Sequence, residues 1–398
     1  MKTKNPLTVF LAVIILVGCG KSQQKSDLSL GEKLQRAMDE SIINSGAVGV
    51  SAAAIFPDGE LWKGASGISH EGVPLTTEML FDIASIQKNF QATLVLKLAE
   101  EGLMALDDPL DKWLPSYPNI DTKITIRQLL NMTSGIDDFV SDPKSPFRVG
   151  YDNIDFEKIW TSEEILGELI GKPTFHPGEG CAYSTTNYVL LKLVIEKVTQ
   201  SKLSTLFEKR LLKPYRLDHT FTDSYQPLPE NMRIAHGWLD AGGDGNAKDI
   251  SGDSSIWAAS LSPLHVWSTP GDMVKWIDVL FHKKTVLNDE TLKAMLTFFG
   301  PVQNEPMMKA YGLGVVDINI GALLPKWDGV RCYGHLGSQF GYTTFAGYFP
   351  EYGVSMSLMF NRGCDGDTDR AVAAVSGAVL DVLFRHLGGQ ESIARSAI

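Results

Sequence analysis

The stretch Phe81–Gly102, FDIASIQKNFQATLVLKLAEEG, decides how the rest of the chain is read. Ile86, Phe90, Leu94 and Leu98 recur every four residues, the spacing of one buried face of an amphipathic helix that Gly102 can end as a left-handed cap. Ser85 opens this helix and Lys88 follows one turn later, so both side chains project from the same edge. A serine before an apolar run is ordinarily an N-cap. Here the capping box fails, because Lys88 stands where Glu or Gln belongs and its charge opposes the helix dipole. A lysine placed against local stability points to chemistry. A serine hydroxyl becomes a nucleophile when a nearby base removes its proton, and lysine serves once desolvation or a second cation lowers its pKa.

Working outward, Leu30–Asn44 reads as a first amphipathic helix, and Val48–Phe56 and Leu61–Ile68 as strands around the turn Pro57-Asp58-Gly59. From the Ser85 helix to about residue 260 the patterns are mostly helical: Ile126–Met132, Ser162–Ile170, Thr185–Thr199 and Leu203–Leu212. Gly237–Gly252 is rich in Gly and Asp and reads as a surface loop. Thr269–His282 returns to helix. Strand-like runs follow at Tyr311–Ile318, Val330–Leu336, Tyr342–Phe349 and Val354–Asn361, then a last helix from Asp369 to Leu387. Strands at both chain ends with helices between them predict an α/β (α+β) fold. Its antiparallel sheet comes from residues 31–84 and 262–390, and a helical lobe, about 85–261, is inserted. Trp238, Trp257, Trp267 and Trp276 cluster before the last strands, where packing between lobes explains them better than a pocket does.

The N-terminus is set apart. Lys2 and Lys4 precede the apolar run Leu7–Val17, too short to span a bilayer and built like a secretory signal. Leu16-Val17-Gly18-Cys19 resembles the lipobox of bacterial lipoproteins, which implies cleavage after residue 18, lipidation of Cys19 and a flexible tether over residues 19–30. The expected address is the periplasmic side of a bacterial envelope. Residues 1–18 carry two lysines and no acids, so the formal net charge moves from −11 to −13 without them. That balance disfavours nucleic acid and polybasic membrane contacts. Cys181, Cys332 and Cys364 then remain, so at least one thiol is unpaired within the chain. No CxxC or HExxH spacing suggests a metal, and no cofactor is expected. Asp365, Asp367 and Asp369 imitate a calcium loop, but Arg370 and Ser376 stand where its glycine and glutamate belong, leaving a surface turn.

Ser-x-x-Lys is weak by itself, since Ser22–Lys25 and Ser141–Lys144 match it too. Two further segments add to it: Phe175–Lys192, FHPGEGCAYSTTNYVLLK, and Cys332–Phe349, CYGHLGSQFGYTTFAGYF. With the Ser85 helix they resemble, in the right order, the three signature elements of the serine penicillin-recognising family of DD-peptidases, class C β-lactamases and related esterases. Thr125–Asp137, TIRQLLNMTSGID, resembles that family's segment after the first element, and the likeness spans roughly Leu34–Leu387. It implies Ser85 as acylated nucleophile, Lys88 as base or proton relay, and Tyr183 as the group passing a proton to the leaving group. It also implies His335 on the edge strand, orienting Tyr183 or a substrate carboxylate, and the backbone N–H groups of Ser85 and Ser338 as oxyanion hole. Thr185 stands where the family usually has Asn to recognise the substrate's amide side chain, with Asn187 as a substitute; Gly337 is the glycine of the strand element. Histidine in place of the family's lysine supplies only a partial positive charge at pH 7. Tyr117-Pro118-Asn119 and Tyr151-Asp152-Asn153 fit Tyr-x-Asn more literally but lack the Pro-Gly approach and the apolar helix after Tyr183.

The expected function is therefore an envelope-anchored serine hydrolase acting through an acyl-enzyme on a small-molecule or peptide substrate. It would be D-alanyl-D-alanine carboxypeptidase-like or β-lactamase-like. A small-ester hydrolase on the same site, or a penicillin-binding sensor that acylates without turnover, are the alternatives. An α/β-hydrolase is disfavoured because the chain has no Gly-x-Ser-x-Gly elbow.

Overall fold

The computed structural model describes residues 28–149, 153–155, 158, 160–222, 232–240, 246–251, 265–363 and 366–396. The signal-type segment, Cys19, Tyr151, Asp152, Trp257, Cys364 and Asp365 lie outside them. An antiparallel sheet of eight strands runs, edge to edge, Val73–Pro74, Leu61–His70, Gly49–Ile55, Val354–Phe360, Tyr342–Phe349, Tyr333–Gln339, Val316–Ile318 and Met308–Tyr311. Its middle joins the two ends of the chain, with Ala52 opposite Leu358. The expected sheet from both chain ends is the one observed.

Gly49–Ile55 is buried at every position, which alternation along a strand allows only if both sheet faces are covered. Ala53 and Ile55 pack on Val274 of the helix Pro270–Ile277. The alternate residues Val50, Ala52 and Ala54 join Leu34 and Met38 of the first helix in the main core. That helix, Leu30–Ser45, starts in a capping box between Ser29 and Glu32 and stops at Gly46, whose φ of 75° is left-handed. It packs along the last helix, Gly366–Ser396. The last helix begins earlier than its apolar pattern indicates and takes in Asp367 and Asp369, so the expected surface turn there is helix instead.

Between the N-terminal and C-terminal strands of this sheet the chain forms the helices Gln87–Glu100, Ile126–Leu130, Ser162–Glu168, Thr186–Thr199 and Leu203–Phe207, with short strands such as Phe221–Thr222. Gln87–Glu100 departs from the one-faced helix expected of it. Eleven of its residues are buried, all round its circumference. Asn89 is fully paired inside the core and Gln91 partly so: Asn89 Nδ2 donates to Gly314 O (2.9 Å), Gln91 Nε2 to Tyr188 O (2.8 Å), and Trp276 Nε1 to Asn89 Oδ1 (2.8 Å), while the Oε1 atoms of Gln87 and Gln91 are buried without a partner among the described residues. Such bonds remove most of the cost of burying amides. Trp276 also stacks on Phe90 at 4.3 Å. The described tryptophans Trp238, Trp267 and Trp276 are therefore packing residues, and none lines the cavity below. Gly102 ends the helix as expected, with φ 73° and the paired bonds Gly102 N–H to Ala99 O and Leu103 N–H to Leu98 O.

Candidate active site

The site is built on the turn that leads into this central helix. Phe81–Asp82 pairs with Trp267–Ser268, which fixes the approach. Asp82 Oδ1 then accepts the Ala84 N–H (2.8 Å), and Asp82 Oδ2 lies 3.1 Å from His265 Nε2, both side chains being buried. Ala84 sits at φ 47°, a left-handed conformation costing a Cβ-bearing residue on the order of 1 kcal/mol. The opposite wall is the strand Tyr333–Gln339, which is not the expected edge strand, since Val316–Ile318 and Met308–Tyr311 lie outside it. A Cβ on Gly337 would lie 2.4 Å from Ile83 O and 2.3 Å from Thr344 Oγ1, so only glycine lets the strand approach this closely. Thr344 Oγ1 donates to Ile83 O at 3.1 Å and ties the two together.

Ser85 lies in the short 3₁₀ turn Ala84–Ile86 ahead of the helix, and neither N-cap position there is closed by a side chain. Its hydroxyl is not a cap. Instead Lys88 Nζ donates to Ser85 Oγ at 2.9 Å. Lys88 is almost wholly buried, with its amine 5.1 Å from the centre of the Tyr183 ring and 5.9 Å from that of Tyr188. Burial pulls its pKa down from 10.5 to about 8, and the Asp138 carboxylate opposes the fall. The amine is thus poised to accept a proton near neutral pH.

Tyr183 Oη is buried without a well-formed hydrogen bond among the described residues. Burial raises its pKa well above 10, while the adjacent Ser85 hydroxyl pulls the other way. The phenol is therefore protonated and lies next to the Ser85 hydroxyl. A cavity of about 740 Å³ opens onto these groups, lined among others by Ser85, Lys88, Asp138, Tyr183, Thr185 and Ser338.

Two expected site residues behave differently. His335 Nδ1 lies 2.6 Å from Leu336 O, a group that can only accept, so this nitrogen carries the proton. Its Nε2 then accepts from Tyr311 Oη at 2.8 Å. The ring is wholly buried and satisfied, and burial, with the Lys88 charge, drives its pKa down to about 3. The partial positive charge expected at pH 7 is absent, and a substrate carboxylate finds no anchor there. His335 reaches Tyr183 only as a ring neighbour, 6.3 Å between centres. Asn187 is also buried; its Oδ1 accepts from Ser134 Oγ (2.7 Å) and its Nδ2 faces Met132 Sδ, so it holds the loop after the helix Ile126–Leu130 and does not line the cavity. Thr185 does line it, and its N–H donates to Asp138 Oδ1 at 3.1 Å. Asn119 of the literal Tyr-x-Asn bonds Ile170 O instead.

Three groups at the site escaped sequence reasoning: Asp138, Glu305 and Tyr311. Burial raises the Asp138 pKa to about 6 against the opposing Lys88 charge. Asp138 directly follows the quoted segment Thr125–Asp137, which was the one available signal for it. The description "Beta-lactamase" fits residues 33–378 as a family model. The chain belongs to the beta-lactamase family. Within this family it is 32% identical over 170 residues to penicillin-binding protein 4* of Bacillus subtilis, a match covering 42% of this chain but only 36% of that relative. Penicillin-binding protein 4 of Amycolatopsis lactamdurans is 27% identical over 356 residues, 85% of each chain. Among solved structures, D-amino acid amidase from Ochrobactrum anthropi SV3 superposes with a TM-score of 0.75 at 27% identity, covering 90% of this chain and 99% of that one. As a beta-lactamase family member built this way, the protein is a serine hydrolase of the β-lactamase and DD-peptidase type. Among the described residues no cluster of His, Cys, Asp and Glu is arranged to hold a metal ion.

Proposed function

We propose that Ser85 attacks the carbonyl carbon of an amide or lactam and is acylated. The Ser85 Oγ–carbon bond forms as Lys88 Nζ takes the hydroxyl proton. The oxyanion is received by the Ser85 and Ser338 backbone N–H groups, each such donor being typically worth roughly 3 kcal/mol. On collapse the carbon–nitrogen bond breaks and the leaving nitrogen takes the Tyr183 phenolic proton, which the Lys88 ammonium replaces. Water then adds to the acyl carbon as Lys88 accepts its proton, the carbon–Ser85 Oγ bond breaks, Lys88 returns that proton to Oγ, and the acid product leaves. The observation carrying this reading is the 2.9 Å bond between Lys88 Nζ and Ser85 Oγ beside a buried Tyr183 hydroxyl that makes no well-formed hydrogen bond among the described residues. It is tested by intact-mass analysis of wild type and Ser85→Ala after exposure to a chromogenic cephalosporin, a D-Ala-D-Ala peptide and a nitrophenyl ester. An adduct on the wild type alone is expected; adducts on both, or on neither with every substrate, refute it. Turnover of the ester alone selects the small-ester hydrolase, and a stable adduct without release selects the sensor.

The reading extends to location. Cys19 at the end of the signal-type segment carries the lipid, which places the hydrolase on the periplasmic side of a bacterial envelope. Cys19→Ser is expected to move the protein from membrane to soluble fractions, and unchanged membrane association refutes the anchor.

A further inference from the structure

Besides Asp82, whose carboxylate is taken up by the Ala84 N–H and by His265, the catalytic cavity is lined by two carboxylates to which acyl transfer assigns no bond to the substrate. Asp138 is held by the Thr185 N–H (3.1 Å) and the Val140 N–H (3.3 Å), which fix its carboxylate beside the segment carrying Tyr183. Glu305 arrives from a separate loop, brought alongside that segment by the bond from Gln303 N–H to Cys181 O (2.9 Å). Both line the cavity with Ser85. Among the described residues the Glu305 side chain makes no hydrogen bond or ion pair, and the Asp138 charge raises its pKa further beyond the effect of burial. Two carboxylates facing one cavity repel unless a cation lies with them.

The protein supplies little to offset them. Lys88 is the one Lys or Arg lining the cavity among the described residues, and it is committed to Ser85. His335 is neutral and turned to Tyr311. The internal segments outside the described residues contain no lysine or arginine in their sequence. A substrate carboxylate would therefore meet two like charges and no free cation. An ammonium group would meet both counter-charges in a partly dehydrated site, where ionic hydrogen bonds are strongest. Asp138 accepts the N–H of Thr185, two residues past Tyr183, and its charge is felt by both Lys88 and Tyr183, as that of Glu305 is by Tyr183, so an ammonium held between them lies beside the carbonyl that Ser85 attacks. Phe139, Val140 and Phe147 add an apolar wall suited to the adjoining side chain.

We propose that this cavity selects acyl donors with a free ammonium group beside the scissile carbonyl, an N-terminal amino-acid residue presented as amide or ester, with Asp138 and Glu305 as its counter-charges. The proposal rests on the acyl-transfer reading above and makes the enzyme act from the amino end of its substrate. The test compares D- and L-phenylalanine p-nitroanilide with their N-acetyl forms at pH 7, using the purified full chain, with p-nitrophenyl acetate as a charge-free acylating control. For one enantiomer the free amine is expected to exceed its N-acetyl form at least tenfold in kcat/KM. Glu305→Gln and Asp138→Asn should each cut that ratio at least threefold, a loss mere misfolding would not produce because it lowers both rates together. Equal rates for the two forms, or equal loss on both in the variants, overturn the proposal while a Ser85-dependent burst on p-nitrophenyl acetate leaves acyl transfer standing. Absence of that burst overturns acyl transfer and this proposal with it.

Discussion

Replacing Lys88 by methionine removes a buried amine while keeping an unbranched chain of similar volume, and the structure gives the size of the effect. The folded pKa of about 8 against 10.5 unfolded is worth about 3 kcal/mol at roughly 1.4 kcal/mol per unit. Because the folded value is the lower one, the unfolded state binds the extra proton between these limits, and wild-type stability rises with pH across the interval. It is complete above 10.5 and lost as pH falls through 8. Methionine carries no such dependence. The assay is chemical denaturation of both proteins from pH 7 to 10.5. The variant's advantage over wild type should shrink by about 3 kcal/mol as pH rises through this window, whatever constant packing difference methionine introduces. Hydrolysis by the variant should fall by roughly 10²- to 10⁴-fold, the usual worth of a general base. The Asp138 carboxylate, the Tyr183 and Tyr188 rings and neutral His335 are the groups that set the amine's surroundings. Parallel stability curves for the two proteins would refute a neutral-leaning amine at this position.

Asp138→Asn removes the charge that holds the Lys88 pKa up, so the rising limb of kcat/KM against pH for a neutral ester should move below about 8; an unmoved limb contradicts the coupling. The His335 ring, with a pKa near 3, should show no titration of its imidazole proton resonances between pH 5 and 8, and an inflection near 6.5 would mean that the bond to Tyr311 is not kept. Since this folded value lies below 6.5, the ring's contribution to stability is full above 6.5 and lost as pH falls towards 3. Gly337→Ala drives a methyl into Ile83 O and should shift the Ser85 turn, lowering kcat by on the order of 10²-fold; wild-type activity in a folded Gly337→Ala variant would show that the close approach is dispensable.

What could be read in advance divides along physical lines. Ser85 and Lys88 are one helical turn apart, so their meeting follows from local geometry. Tyr183 was reachable because a Pro-Gly approach and an apolar helix surround it. The charge on His335 was not legible, because it is decided by Tyr311 on a neighbouring part of the sheet and by complete burial, neither of which the His-Leu-Gly stretch announces. Asn187 is one turn along the helix edge from Tyr183, yet Ser134 and Met132 claim its amide. Glu305 looks like any loop acid until the Gln303–Cys181 bond carries it to the cavity. The central helix misled in the same way. Asn89 and Gln91 look solvent-facing in sequence, and only partners at Gly314, Trp276 and Tyr188 make their burial tolerable.

The pairing of Gly49–Ile55 with Val354–Phe360 also constrains how the chain acquires its shape. Synthesis or export delivers the N-terminal hairpin first and its central neighbour almost last, so the hairpin waits with one hydrogen-bonding edge open while nearly everything between is made. Contacts of such sequence separation form slowly. Truncation ahead of Phe360 should leave the nucleophile turn without the strand behind its wall, so a prematurely terminated chain would hold the serine and lysine yet have no scaffold to bring a carbonyl to them.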